Sequence, residues 1–122
     1  MRLPLHKLIL AVIVLLLSPQ AFAENEKCVL PAPDYRSPNT SKPSLHGVIS
    51  NIKVDALEIE ISSKTDQNKI RINKQTIIFT SFGGYVAPTE LIIGDRINVW
   101  YIGCDSKKAG SPPLAAVIEV IR

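Results

Sequence analysis

The stretch LHGVISNIKVDALEIEIS, residues 45–62, decides the fold of this chain. It contains two strand-like segments separated by a polar turn near residues 53–55. In the second segment Leu57, Ile59 and Ile61 alternate with two glutamates, so the apolar side chains share one face of a strand. One buried face and one solvated face are typical of an antiparallel sheet. The stretch therefore predicts a β-hairpin.

Four further segments have the same character. KIRIN at 69–73 places its two isoleucines inward, and TIIFT at 76–80 is short and rich in β-branched residues. RINVWYIGC at 96–104 favours a strand, and LAAVIEVIR at 114–122 favours a strand over a helix because four of its residues are β-branched. Six short strands predict an all-β domain, a small antiparallel barrel spanning 45–122, with a two-sheet sandwich as the alternative.

Residues 1–23 resemble a secretory signal peptide. Basic residues precede the apolar run Leu8 to Leu17, and Ala21-Phe22-Ala23 supplies a small-x-small cleavage pattern. The run has 10 residues, whereas a membrane-spanning helix needs roughly 20. We expect cleavage after Ala23 and a periplasmic or secreted protein, which meets the membrane only before cleavage; an uncleaved anchor is the alternative.

The segment at 24–44 contains four prolines among polar residues, which neither a helix nor a central strand tolerates. It predicts an extended arm that lies across the domain or remains a linker.

The charge of the chain gives little indication of its partners. The whole chain has a net charge of +3, but residues 24–122 carry 12 basic and 11 acidic side chains. With no basic cluster, nucleic acid is not an expected partner.

Two cysteines, Cys28 and Cys104, remain after the predicted cleavage. In an oxidising compartment they are expected to form one disulfide that ties the arm to the strand ending at Cys104. A redox-active thiol is the alternative, but the spacing is not Cys-x-x-Cys. The cysteines and His46, the one histidine of 24–122, show no metal-ligand spacing, so no metal or cofactor is expected.

Three motifs carry a resemblance to a known family. They are Gly-Val-Ile at 47–49, a Leu-x-x-Gly-Asp-containing segment at 91–99, and Ala-Val-Ile-Glu-Val at 116–120. In this order they resemble small exported bacterial domains of unknown function with an OB-like β-barrel, over residues 45–122. The resemblance implies an OB-like fold and an envelope location, and it supplies no catalytic residues. The cysteine pair, the arm and the loop SFGGYVAP at 81–88 depart from the family pattern.

Catalytic chemistry would need a nucleophile with a base, a carboxylate pair or a metal. Glu58 and Glu60 alternate on the predicted wet face of a strand, and His46 begins another strand. No phosphate-binding glycine loop, nucleophile elbow or His-Glu-x-x-His motif occurs. The sequence therefore predicts a protein that is not an enzyme.

Aromatic residues are concentrated in one part of the chain. Phe82, Gly83, Gly84 and Tyr85 form a loop between strands, and Trp100 follows in the fifth strand. An outward Trp100 beside this loop would create an apolar patch suited to a sugar ring, a peptide or a protein. The alternative is that the rings cover an open barrel end or pack beneath the arm.

These features lead to three hypotheses of function. The first is an exported, non-catalytic binding module that contacts a protein or envelope component through the aromatic surface within residues 79–101. The second is a structural or assembly accessory subunit of an envelope complex, whose arm at 24–44 becomes ordered on a partner. The third is a secreted enzyme inhibitor that presents the SFGGYVAP loop.

Overall fold

The computed structural model describes residues 27–33, 37–64 and 66–122. The predicted signal peptide, residues 1–23, lies outside this part of the chain. The described residues form one six-stranded sheet, so the predicted all-β class is confirmed. Its strands are β1 (Leu45–Lys53), β2 (Glu58–Ser62), β3 (Gln67–Arg71), β4 (Ile77–Thr80), β5 (Arg96–Tyr101) and β6 (Ala115–Ile121). Short helical turns occupy Pro88–Glu90, Ile102–Cys104 and Ser106–Ala109.

Period-two alternation places the core on one face of the sheet. Ile59 and Ile61 of β2 and Ile70 of β3 are fully buried, as their alternation with polar residues predicts. Every strand contributes to this main core, whose larger members include Ile49, Ile78, Ile97, Val99, Ile118 and Val120. Leu57 was expected on the same face and is instead exposed. It ends the β1–β2 turn with φ 53°, a conformation outside the strand that turns its side chain away from the alternating pattern.

The structure differs from the predicted small antiparallel barrel in two respects: one pair of strands is parallel, and the sheet is not closed. The strand order is β3-β2-β1-β5-β6-β4, and β4 runs parallel to β6. The edge strands β3 and β4 do not pair with each other, and one parallel bridge, Arg71 to Leu114, links the end of β3 to the approach to β6. Between β3 and β4 the Asn73 side chain accepts hydrogen bonds from the main chain of Gln75 and Thr76. This turn separates β3 from β4, and the sheet is open between its two edge strands.

Arg71 holds the loop that precedes β6. Its main-chain N–H donates to Pro113 O at 2.8 Å, and its guanidinium donates to Pro112 O at 2.7 Å and Ala109 O at 3.1 Å. Arg71 therefore links the end of β3 to the loop before β6, where the two strands do not pair along their length.

A second, smaller cluster lies on the opposite face of the sheet. It consists of Phe79, Trp100 and Val117, with Cys104 and Ala116 packed against it. Tyr101, the next residue after Trp100, belongs to the main core. Successive side chains of a strand point to opposite faces, which explains why these neighbours enter different clusters.

Gly47 is required by close packing inside β1. A Cβ atom at this position would lie 2.5 Å from Ser62 O and 2.6 Å from Ile61 Cγ2. We expect Gly47→Ala to lower the free energy of unfolding by about 1–3 kcal/mol, the usual cost of overpacking. Gly84→Ala is the matched control, since the nearest atom to its Cβ would be Thr80 Oγ1 at 4.0 Å. Urea unfolding of both variants measures the difference, and equal stabilities would contradict this account.

Candidate functional site

The loop after β4 is a tight turn fixed by main-chain hydrogen bonds. Thr80 N–H donates to Gly84 O and Gly83 N–H donates to Thr80 O, both at 2.8 Å. Gly83 has φ 102°, which is accessible to glycine and strained for other residues. After the turn, Tyr85 pairs with Phe79 as an isolated antiparallel bridge. Four of the five predicted binding residues, 82–85, are thereby brought together on one defined turn.

The two aromatic side chains of this turn point into solvent. Phe82 is 86% exposed and Tyr85 is 70% exposed, the highest values among the large apolar residues of the described chain. A fixed backbone that presents two aromatic rings can bury large apolar area in a complex with little loss of backbone entropy. The turn is therefore suited to binding.

A neighbouring turn adds two exposed aliphatic side chains, Ile92 and Ile93. The C-terminal Arg122 joins the two turns: its carbonyl accepts a hydrogen bond from Ser81 Oγ at 3.1 Å, and its guanidinium contacts Asp95 Oδ2 at 3.0 Å. We call Phe82, Tyr85, Ile92 and Ile93 together the loop-end surface.

Sequence reasoning missed the aliphatic part of the loop-end surface. In the sequence, the run Leu91-Ile92-Ile93 directly precedes Gly94-Asp95. Leu91 is buried, whereas Asp95 accepts a hydrogen bond from Ile92 N–H through Oδ2 at 3.0 Å and thereby closes a turn. The Gly94-Asp95 pair could have indicated that Ile92 and Ile93 are exposed, because Gly and Asp favour turns and turn residues face solvent.

Trp100, the fifth predicted binding residue, does not lie on the loop-end surface. Its side chain is 3% exposed, and its indole N–H donates to Ser41 O at 2.8 Å. Of the two arrangements that the sequence left open for the rings, the structure places Trp100 beneath the arm. Phe82 and Tyr85 are exposed without it.

Hydrogen bonds join the described parts of the arm to each other and to the domain. Val29 and Ser41 are joined twice, by Val29 N–H to Ser41 Oγ and by Ser41 N–H to Val29 O, both at 2.9 Å. Ser44 then pairs with β5, since its N–H donates to Val99 O at 2.8 Å. Pro33 O lies 3.0 Å from where a Cβ of Gly83 would be, so the arm also approaches the aromatic turn.

The predicted disulfide between Cys28 and Cys104 is confirmed. The two Cα atoms lie 5.5 Å apart, and the bond connects positions 76 residues apart in the chain. It ties the start of the described arm to the helical turn that follows β5. A disulfide of this kind fits an oxidising compartment.

A row of polar side chains crosses the outer face of the sheet beside Trp100. Asn98 Nδ2 donates to Glu119 Oε1 at 3.1 Å, and Asn98 Oδ1 lies 2.6 Å from His46 Nδ1. The amide oxygen can only accept, so His46 Nδ1 is the donor in this contact. Glu119 is 5% exposed. A cleft of about 610 Å³ separates this row from the arm and is lined by Ser37, Pro38, Thr40, Ser41, Lys42, Pro43, Asn98, Trp100 and Glu119.

Burial raises the pKa of the Tyr101 phenol above its ordinary value of 10.0, because desolvation penalises the phenolate. Above about pH 10 the unfolded chain releases this proton while the folded protein retains it, so stability falls as pH rises through that window. We expect Tyr101→Phe to make the loss of stability between about pH 8 and pH 10.5 shallower. Urea midpoints at both pH values measure it. An unchanged slope in Tyr101→Phe would contradict the assignment.

No protein-family model, curated protein or solved structure matches this chain. The resemblance to exported OB-like domains therefore stays a prediction. In residues 27–33, 37–64 and 66–122 no group of three or more His, Cys, Asp or Glu side chains is arranged to hold a metal ion. Over the same ranges, no helix has the length and apolar character needed to cross a membrane.

Proposed function

We propose that this protein is an exported, non-catalytic binding module of the periplasm or the extracellular space. It contacts a protein or another envelope component through the loop-end surface. The observation that carries the proposal is the 86% exposure of Phe82 on a turn whose backbone is fixed by hydrogen bonds. The disulfide supports the exported location, since such bonds persist in oxidising compartments.

The composition of the loop-end surface supports a macromolecular partner. Aromatic residues are enriched among the side chains that dominate binding energy in protein interfaces. Phe82 and Tyr85 lie on one turn, and Ile92 and Ile93 lie on the turn that Arg122 links to it. Four exposed apolar side chains on two connected turns form a larger contact area than scattered surface residues would.

The assembly hypothesis required an arm that becomes ordered on a partner. The described residues of the arm instead contact their own domain, through Ser41 to Trp100 and through the disulfide. We therefore favour the binding module.

The test compares partner binding by the full chain and two alanine variants, Phe82→Ala and Tyr85→Ala. Immobilised protein is incubated with an envelope extract, captured components are identified by mass spectrometry, and affinities are measured with the purified component. We expect Phe82→Ala to weaken binding at least about tenfold, since loss of a central aromatic contact costs about 2 kcal/mol or more.

Val54→Ala is the matched control, because Val54 is an exposed apolar residue on the β1–β2 turn and lies outside the loop-end surface. It should bind like the parent protein. Equal binding by the parent chain, Phe82→Ala, Tyr85→Ala and Val54→Ala would refute the proposed function.

A further inference from the structure

The outer edge of β3 is open at Gln67 and Lys69. Arg71 N–H points away from β2, because it donates to the loop that precedes β6 at 2.8 Å. Ile72 N–H points the other way and donates to the β1–β2 turn at 2.9 Å. Main-chain groups alternate in direction along an antiparallel strand. The N–H and C=O groups of Gln67 and Lys69 therefore point away from β2, toward the edge of the sheet.

The loop before β6 does not extend the sheet along this edge. Arg71 N–H donates to Pro113 O, beside the one parallel bridge between the two segments. The next bond of a parallel ladder would join Pro113 N–H to Lys69 O, and proline has no N–H. Within the described ranges, no main-chain hydrogen bond joins this loop to Gln67 or Lys69. Their donors and acceptors are thus available to an added strand.

The open edge lies in a basic part of the domain. β3 and the loop at 105–113 together carry four basic side chains and one acidic side chain. The rest of 24–122 carries eight basic and ten acidic side chains. The Arg71 guanidinium brings the two basic segments together, because it donates to Ala109 O at 3.1 Å. A partner with complementary charge is therefore acidic.

Lys69 is placed to make a further ionic contact. Its Nζ lies 3.8 Å from Glu60 Oε1, and Lys53 Nζ lies at the same distance from that oxygen. Two lysines thus share one carboxylate, and the Lys69 side chain is 52% exposed. An acidic residue opposite Lys69 on an added strand would form a stabilising cross-strand pair. A second copy of this chain, paired edge to edge, would instead bring two basic edges together.

The composition of β2 and β3 favours a peptide over a nucleic acid. Their sequences, EIEIS and QNKIR, contain no aromatic residue. Binding of single-stranded nucleic acid relies on bases that stack on aromatic side chains. The open edge offers alternating main-chain donors and acceptors, which match those of an extended peptide.

We propose that the open edge of β3 binds an extended acidic segment of a partner protein by β-strand addition. The main chain of this segment pairs with Gln67 and Lys69, and its acidic side chains face Lys69 and the basic loop at 105–113. This edge shares no residue with the loop-end surface, so the inference does not depend on the proposed function.

The experiment follows single amides of the disulfide-bonded protein by nuclear magnetic resonance. The probe is a synthetic peptide with capped ends and the sequence Glu-Val-Glu-Val-Glu. In the free protein we expect fast hydrogen exchange at Gln67 and Lys69 and slower exchange at Asn68 and Ile70, whose N–H groups face β2. Addition of the peptide should slow exchange at Gln67 and Lys69 severalfold and leave Asn68 and Ile70 unchanged.

Two altered peptides separate the main-chain contribution from the charge contribution. The same peptide with methylated main-chain nitrogens keeps its carboxylates but cannot donate to the edge, and it should bind at least about tenfold more weakly. A peptide with lysine in place of glutamate should not bind at concentrations that saturate the parent peptide. Equal binding by the methylated peptide would overturn strand addition, since charge alone would then explain the affinity.

Two lysine variants form a matched pair, because both side chains lie 3.8 Å from the same oxygen of Glu60. Lys69→Gln should weaken peptide binding severalfold, whereas Lys53→Gln, on β1 and away from the edge, should bind like the parent protein. Equal effects of the two substitutions would contradict the proposed position of the peptide.

Three further results would overturn the proposal. They are slow exchange at Gln67 and Lys69 in the free protein, protection of these amides that rises with protein concentration alone, and tighter binding of an oligothymidine than of the acidic peptide. The second would indicate pairing with another copy of the chain, and the third a nucleic-acid ligand. Phe82→Ala should leave all of these readouts unchanged, so failure here is distinct from failure of the proposed function.

Discussion

Replacing Cys28 and Cys104 together by serine is expected to lower the free energy of unfolding by about 4 kcal/mol. The disulfide joins positions 76 residues apart, so it closes a long loop in the unfolded chain and restricts its conformations. In the chain-entropy model most of this loss comes from the greater freedom of the unfolded state. The contacts of the β-sheet are therefore expected to be retained in the variant. Urea unfolding of the parent protein and the variant, under non-reducing conditions, measures the loss.

The parent protein in the presence of dithiothreitol is the natural control, because it lacks the same bond without any substitution. Its unfolding midpoint should fall to that of the double serine variant. A loss below about 1 kcal/mol would mean that the long loop is already restricted in the unfolded chain, contrary to the model.

Replacing Trp100 by alanine is expected to cost about 3–5 kcal/mol, the range for removal of a large buried aromatic side chain. Trp100 is 3% exposed, packs with Phe79 and Val117, and donates to Ser41 O. The substitution removes this packing and takes the hydrogen-bond donor away from a carbonyl of the arm. Far-ultraviolet circular dichroism follows unfolding, because Trp100 is the one tryptophan of the chain and its fluorescence is lost in this variant.

Phe82→Ala provides the comparison for Trp100→Ala. Phe82 is aromatic but 86% exposed, so its removal should change stability by no more than about 0.5 kcal/mol. Trp100→Phe keeps a ring in the cluster and should lose less than the alanine variant. If Trp100→Ala and Phe82→Ala were equally stable, the arm would not bury Trp100 in solution.

Local patterns in the sequence were sufficient to predict the strands. Ile59, Ile61 and Ile70 alternate with polar residues, and this period holds wherever one face of a strand is buried. β-Branched content identified β6 over a helix. Leu57 fits the same alternation of residue types, so it was predicted to be buried. It is exposed because the positive φ at the end of the turn interrupts the alternation of side-chain directions.

The candidate site was only partly predictable. Glycines 83 and 84 marked the turn that presents Phe82 and Tyr85, and the positive φ of Gly83 is a conformation that favours glycine. The alternation of residue types in β5 did not show whether Trp100 is buried, since the sequence of a strand is the same whether or not an arm covers its outer face. Ile92 and Ile93 were missed because an apolar run normally indicates burial.

The sequence by itself determined the all-β class, the six strands, the partners of the disulfide and the turn at 82–85, because each follows from residue types close together in the chain or from the count of cysteines. Only the tertiary structure decided that β4 pairs with β6 in parallel, that the sheet stays open, and that the arm lies over Trp100. These features arise from contacts between segments distant in sequence. Such contacts depend on which surfaces meet in three dimensions, and the hydrophobic period of a single strand carries no information about its partner.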